Sequence, residues 1–295
     1  MQLQQPSSLD EATRALGNGS VALAGGTDLV PLLRDGIVRA DTLVQIDRVV
    51  PRGIDAKGTR GQTEVSPRAG VVIGARTTLA ELEVDPQIPD ALREACRLAA
   101  SPQLRSMGTI GGNLLQATRC WYWRLQFPCY LHSGDRCHAK AGAHREHAIF
   151  GNERCASAHP SDVGAALVAL DATLTTTKRR LPVADLYRLP TDEDRNLTTL
   201  GPDELILELD VPPVDRSVYL KAMDRRRWAF PLVGVAAARR GAVIRIALAG
   251  VAPVPWTIST PAALDDATPL RGTAYKVQIA RALVARALAA LDNTA

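Results

Sequence analysis

Four cysteines between residues 120 and 155 are the groups best able to do chemistry. Cys120, Cys129, Cys137 and Cys155 follow a C-x8-C-x7-C-x17-C spacing. Thiolates are soft ligands that select iron–sulfur clusters or zinc. Structural zinc sites usually carry a C-x2-4-C pair, and this stretch has none. The wider spacing suits a folded loop that gathers four thiolates around a cubane. Trp121, Tyr122, Trp123 and Phe127 crowd the same stretch and would shield a cluster from water. His132, His138, His144 and His147 lie there too, so a Cys/His zinc site is a live rival. Two disulfides are a weaker one. The fifth cysteine, Cys96, recurs with Leu92 and Ala99 or Ala100 at helical spacing and is assigned as a buried structural thiol.

Polar turns flank this loop. Gly25 and Gly26, in AGGTDLVPLL, separate an apolar strand from a helix, which lets bare backbone N–H groups approach an anion. The pattern is neither a Walker A loop nor GxGxxG, and alone it reads as an ordinary strand–turn–helix junction. TIGGN (Thr109–Asn113) places a hydroxyl and an amide about a glycine pair, suited to a phosphate or to a tight turn. In HPSD (His159–Asp162), Ser161 and Asp162 can cap the next helix while Asp162 accepts from ligand hydroxyls. His159, beside a proline, reads as structural. No Ser/His/Asp triad or carboxylate pair suggests independent catalysis.

The elements that must position these groups follow from pattern. Ser8 and Glu11 form a capping box for a short helix; Val21–Ala24 and Leu43–Ile46 are strands; a helix ends at Gly36. Residues 51–70 are a surface hairpin or loop, Val71–Ile73 a strand, and Thr77 or Thr78 caps the following helix. Asp90–Ala100 is helical, and Val163–Leu170 is helix or strand before a β segment, ATLTTTKRRLPV. Asp203–Pro212 alternates as a strand, PLVGVAAA is a buried strand or helix, AVIRIALAGVAP a strand, and Tyr275–Leu291 a helix. The expected division is 1–55, 56–180 with the cysteine loop at 117–156, and 181–295.

The chain of 295 residues allows two or three domains, and 46% hydrophobic with 22% charged residues is ordinary for a soluble protein. A net charge of +4 with no aromatic-interleaved basic run argues against nucleic acid, and Arg225, Arg226 and Arg227 read as a solvated loop. No apolar run reaches membrane-span length. MQLQQPSSLDEA lacks the features of a secretory signal, so the cytoplasm is expected, with co-export to the periplasm on a partner's signal as the alternative. Thiols stay reduced in the cytoplasm, which favours metal over disulfides.

Taken in order, AGGTDLVPLL, IGARTTLAELE, SPQLRSMGTIGGNLLQ, AHPSD, DELILELDVP and YLKAMDRR resemble the FAD-binding subunit of the molybdenum hydroxylases over essentially the whole chain. RCWYWRLQFPC and CASAHPSD resemble the branch with aldehyde oxidoreductase flavin subunits that carry a [4Fe–4S] cluster. The resemblance implies an α+β fold: a two-part FAD-binding domain of the vanillyl-alcohol-oxidase type, then a smaller α+β domain with an antiparallel sheet on helices. It implies that Ala22, Leu23, Ala24, Gly25, Gly26, Thr27, Asp28 and Leu29 hold the FAD pyrophosphate, and that Thr109, Gly112 and Asn113 touch the diphosphate region. Ser161 and Asp162 would bind ribityl or adenosine-side hydroxyls. Leu205 would meet flavin or adenine through backbone, and Lys221 would lie near the isoalloxazine. Cys120, Cys129, Cys137 and Cys155 would hold the cluster. Where relatives often place a bulky aromatic, this chain has the small residues about Ala99. A molybdopterin-binding large subunit and a [2Fe–2S] small subunit would be partners in a heterotrimer or a dimer of heterotrimers, with electrons leaving to an external acceptor. The alternatives are a zinc-stapled scaffold or assembly subunit and a stand-alone flavin oxidase.

Overall fold

The computed structural model describes residues 1–56 and 70–292. Its first unit is β1 (Gln2–Gln4), α1 (Leu9–Ala15), β2 (Ser20–Leu23), α2 (Leu29–Arg34) and β3 (Thr42–Gln45). Ser8 starts α1 by accepting from the Glu11 N–H. The expected box closes one residue early, because the Glu11 carboxylate accepts from the Ser7 N–H and hydroxyl instead. The three strands pair in parallel, in the order β1-β3-β2. This aims the β2–α2 turn, which carries the Gly25–Gly26 pair, out of the sheet's C-terminal edge.

The second unit opens with β4 (Ile54–Ala56) and β5 (Val71–Gly74), an antiparallel pair. Most of the hairpin or loop expected at 51–70 lies outside the described residues, which omit 57–69. Then come the helices α3 (Leu79–Leu82), α4 (Asp90–Leu98), α5 (Pro102–Arg105), α6 (Ile110–Leu114), α7 (Trp121–Arg124) and α8 (Asp162–Ala169). Thr78, not Thr77, caps α3, in a full box with Glu81. The hairpin β6 (Thr173–Thr176) and β7 (Arg180–Pro182) joins β5 through β8 (Ile206–Val211), giving the antiparallel order β4-β5-β8-β6-β7. The sheet therefore crosses the division expected at residues 180 and 181.

The last unit is an antiparallel sheet, ordered β12-β11-β10-β9, of β9 (Arg216–Ala222), β10 (Val233–Arg240), β11 (Val243–Ala249) and β12 (Trp256–Ile258), with the helix α9 (Tyr275–Asp292). Val235 and Ala237 face α9, packing with Ala280, Leu283 and Val284. Ala236 and Ala238 face the other way, into the core shared with α8. Burial on both faces explains why β10 reads as a continuous apolar run that pattern alone left open between strand and helix. The fold is α+β. Among the described residues no helix is long and apolar enough to cross a membrane.

Candidate functional site

Three polar turns meet. At Gly25 an added Cβ would lie 1.8 Å from the Met107 carbonyl oxygen, so only glycine lets the β2–α2 turn rest on the segment before α6. At Gly108 it would lie 3.4 Å from the Thr27 hydroxyl. Thr109 caps α6 by accepting from the Gly112 N–H at 3.2 Å, so TIGGN is the start of a helix rather than a bare turn. The Asn113 side-chain oxygen accepts from the Ser161 hydroxyl at 2.6 Å, and Ser161 caps α8 by accepting from the Gly164 N–H at 2.8 Å. Among the described residues the N–H groups of Gly25, Gly26 and Thr27 make no hydrogen bond. Bare N–H groups leading into a helix form a cradle for an anionic group.

Asp162 and Lys221 also meet, but they are bound to each other. Lys221 Nζ donates to Asp162 Oδ2 at 2.8 Å and to the Leu98 carbonyl at 3.0 Å. The Tyr219 hydroxyl donates to Asp162 Oδ1. Burial raises the Asp162 carboxyl against the opposing pull of Lys221 and Tyr219. Ser217, Tyr219 and Lys221 alternate along one face of β9, and Ser217 accepts from the Ala91 N–H at 3.0 Å. One strand of the last unit thus holds both ends of α4 and the start of α8. Tyr219 was missed in the sequence, although its spacing from Lys221 places both on one strand face. Leu205 lies apart in its bonding: its N–H donates to the Thr177 hydroxyl and its carbonyl accepts from the Thr177 N–H. These bonds, just beyond the ends of β6 and β8, leave the carbonyl one lone pair.

Asp28 leaves its own helix uncapped. Its carboxylate accepts from the Ala117 N–H at 2.7 Å, from Arg119 at 2.6 Å and from Arg124 at 3.1 Å. The glycine turn is thereby tied to the start of the cysteine loop, a link that no local pattern encodes.

The loop itself gathers its thiols. Cys120, Cys129, Cys137 and Cys155 line one small cavity with Tyr122, Trp123, Tyr130 and Ser157. All are free thiols, so the disulfide alternative is absent from this structure. A hydrogen bond from Cys155 pulls Cys137 down to about 5 and pushes Cys155 up, while burial raises Cys120 to about 11. His132 and His138 direct Nε2 to the carbonyls of Trp123 and Pro128, at 2.9 and 3.2 Å. His144 Nδ1 donates to the Ala139 carbonyl at 2.8 Å. His147 alone turns to sulfur, with Nε2 3.2 Å from Cys120 Sγ. Burial first, then Lys276 and His144, lowers His147 to about 4. Among the described residues no three His, Cys, Asp or Glu side chains stand arranged to hold a metal ion. Cys96 is fully buried on α4, outside this group.

A cleft of about 270 Å³ separates the cysteine loop from the β9–β10 loop, with Cys120, His147 and His159 on one wall and Arg225 and Phe230 on the other. Arg225, Arg226 and Arg227 are exposed.

Residues 1–214 match the model for the FAD binding domain in molybdopterin dehydrogenase. The chain belongs to this family. It is 36% identical over 254 residues to the aldehyde oxidoreductase FAD-binding subunit PaoB of Escherichia coli (strain K12), covering 81% of this chain and 77% of that protein. It is 37% identical over 116 residues to the carbon monoxide dehydrogenase medium chain of Hydrogenophaga pseudoflava, 37% of each chain. A carbon monoxide dehydrogenase structure from Hydrogenophaga pseudoflava, lacking the Mo-pyranopterin moiety of its cofactor, superposes with a TM-score of 0.66 at 26% identity, covering 98% of this chain and 96% of that one. Membership in this FAD-binding family fits the geometry: the unbonded N–H groups at Gly25–Thr27 suit a pyrophosphate, and their turn packs against the segment before α6.

Proposed function

We propose that the chain is the FAD-binding electron-transfer subunit of a molybdenum-dependent hydroxylase that oxidises an aldehyde or an N-heterocycle. Electrons would arrive from [2Fe–2S] clusters of a small partner, the substrate would bind a molybdopterin-binding large subunit, and an external acceptor would take the electrons away. The observation that carries this reading is the row of unbonded N–H groups at Gly25–Thr27, in a turn packed on the segment before α6, whose Asn113 in turn bonds Ser161. Bound FAD supplies the redox chemistry. The Ala22–Leu29 turn holds the pyrophosphate through its N–H groups; Thr109 and Asn113 line the diphosphate side, with Gly112 fixing the Thr109 rotamer. Ser161 orients Asn113. Asp162 accepts from sugar or ribityl hydroxyls with the lone pairs that Tyr219 and Lys221 leave free. Lys221, held by Leu98, keeps a cation at the flavin end, and Leu205 meets flavin or adenine through backbone, by the second lone pair of its carbonyl.

Cys120, Cys129, Cys137 and Cys155 are proposed to hold a [4Fe–4S] cluster. Four free thiols on one cavity support this. His144 spends both ring nitrogens, on the Ala139 carbonyl and the Gly272 N–H, which removes it from a Cys/His zinc set. We also place the last domain boundary after Val211, since β8 completes the five-stranded sheet.

The deciding experiment is a UV–visible spectrum of anaerobically purified chain, with iron, acid-labile sulfide and zinc assayed on the same sample. Flavin bands over a broad shoulder that dithionite bleaches are expected. A colourless chain that takes up no added FAD would overturn the flavin reading. Zinc without iron or sulfide, persisting after reconstitution, would replace the cluster by a zinc staple.

A further inference from the structure

We propose that His147 is a positioning residue that donates a hydrogen bond from Nε2–H to the Cys120 sulfur and raises the reduction potential of the cluster. The inference rests on the cluster reading above. A cluster-bound thiolate carries no proton, so the ring must be the donor across the 3.2 Å between Nε2 and Sγ. The other tautomer would set two acceptors against each other. It would also bury a donor at Nδ1, which has no partner. Hydrogen bonds to cluster sulfurs stabilise the extra charge of the reduced state, and the potential rises.

The last unit of the fold aims this imidazole. Three consecutive residues before His147 are each held from the C-terminal segment. Gly272 N–H donates to His144 Nε2 at 3.0 Å, the Tyr275 hydroxyl to the Arg145 carbonyl at 3.0 Å, and Lys276 Nζ to the Glu146 carbonyl at 2.8 Å. Lys276 is fully buried and also donates to the Gly250 carbonyl at 2.9 Å, which locks α9 to the β11–β12 turn. Trp121 stands edge-on to the ring, centroids 4.8 Å apart, and closes its other side. His147 itself is 2% exposed, so water does not compete for the bond.

The test uses the full chain, reconstituted with iron and sulfide and loaded with FAD, as wild type, His147→Leu and His147→Gln. Iron and sulfide are assayed first; the cluster's midpoint potential is then read by redox titration with electron paramagnetic resonance. The expected result is an unchanged iron and sulfide complement in both variants, a more negative potential in His147→Leu, and a smaller shift in His147→Gln, whose amide can still donate. A full cluster with the wild-type potential in His147→Leu overturns the bond while leaving the cluster reading intact. Loss of iron in both variants makes His147 a ligand and overturns the proposal in that way. Wild-type chain that takes up neither iron nor sulfide removes the cluster reading, and the proposal with it. Should His147→Leu fail to fold, His147→Gln beside Lys276→Met, which frees the Glu146 carbonyl, carries the same comparison; wild-type potentials in both overturn it.

Discussion

The proposed flavin cradle and the cysteine loop place their groups by opposite means. The cradle is built at the ends of regular elements: a turn leaving β2, the first turn of α6, the first turn of α8. Its groups are placed by helix caps such as Thr109 and Ser161 and by one steric match, Gly25 on Met107. The cysteine loop has little regular structure beyond α7, and it is stapled by side chains reaching backbone carbonyls. Arg195 donates to the carbonyls of Tyr130 and Gly134, at 2.9 and 2.7 Å, and His132, His138 and His144 do the same elsewhere. The difference teaches that the cradle is formed by the fold, whereas the loop is a separate assembly that the fold clamps at Asp28 and at residues 144–146. The two should therefore fail separately.

The largest test of that separation removes a thiol. Cys137→Ser is expected to take the iron of the proposed cluster from about four per chain to near zero, since a hydroxyl is a poor ligand for a soft metal site. Flavin content should fall by less than about two-fold, because the cradle's bonds do not pass through Cys137. Iron, sulfide and extracted flavin on one sample decide it; joint loss of flavin and iron would merge the two regions into one.

The reciprocal change is Gly25→Ala. A methyl 1.8 Å from the Met107 carbonyl meets backbone, which cannot swing aside. Displacing it costs about 1–3 kcal/mol, or roughly 5- to 150-fold in FAD affinity if the displacement falls on the bound state. Iron should stay at the wild-type level. Equilibrium titration with FAD checks the first expectation; full-affinity binding would show that the turn is not the pyrophosphate seat.

How far the two regions were legible follows the same line. Thr109, Ser161 and the glycine pair were readable because caps and turns are local and carry residue signatures. So were β2 and α2, within one or two residues, whereas pattern left α8, like β10, open between helix and strand and gave no helix at α6. What pattern did not show were bonds between distant segments: Asp28 on Ala117, Tyr219 on Asp162, Lys276 on Glu146. The cysteines were legible by type, but their wide spacing said nothing of which histidine would turn toward sulfur. That choice is made by α9, more than a hundred residues away in sequence. The strand β8 likewise joins a sheet whose other members all end by Pro182, with residues 183–205 between them and it.

A smaller effect separates the regions by pH. His159 opens the Ser161 turn; it is 5% exposed, its Nε2 has no partner, and burial lowers it to about 3. The ring is neutral when folded, while the unfolded chain binds its proton near pH 6.5. The unfolded state therefore takes up more protons, and stability falls as pH drops from 6.5 towards 3, by at most about 1.4 kcal/mol per unit. Above 6.5 the group contributes no slope. His159→Phe keeps the edge-on contact with Tyr187 and should flatten this part of the acid-unfolding curve. An unchanged slope would assign the acid lability to the cysteine loop instead.

The smallest effect tests whether the four-thiol group is complete. Cys96 is fully buried on the inner face of α4, and burial, with Glu83 and Asp162 nearby, holds its thiol far above the usual range. It is thus a packing group rather than a thiolate. Cys96→Ala removes one sulfur from a close-packed site and should cost about 1–2 kcal/mol in denaturant unfolding, with the iron, sulfide and flavin contents of the wild type. Because α4 is held at both ends by β9, the vacated space should close only in part, so the stability loss should be seen without a change in either cofactor. A fall in iron would bring Cys96 into the ligand set and break the assignment of the cluster to the loop alone.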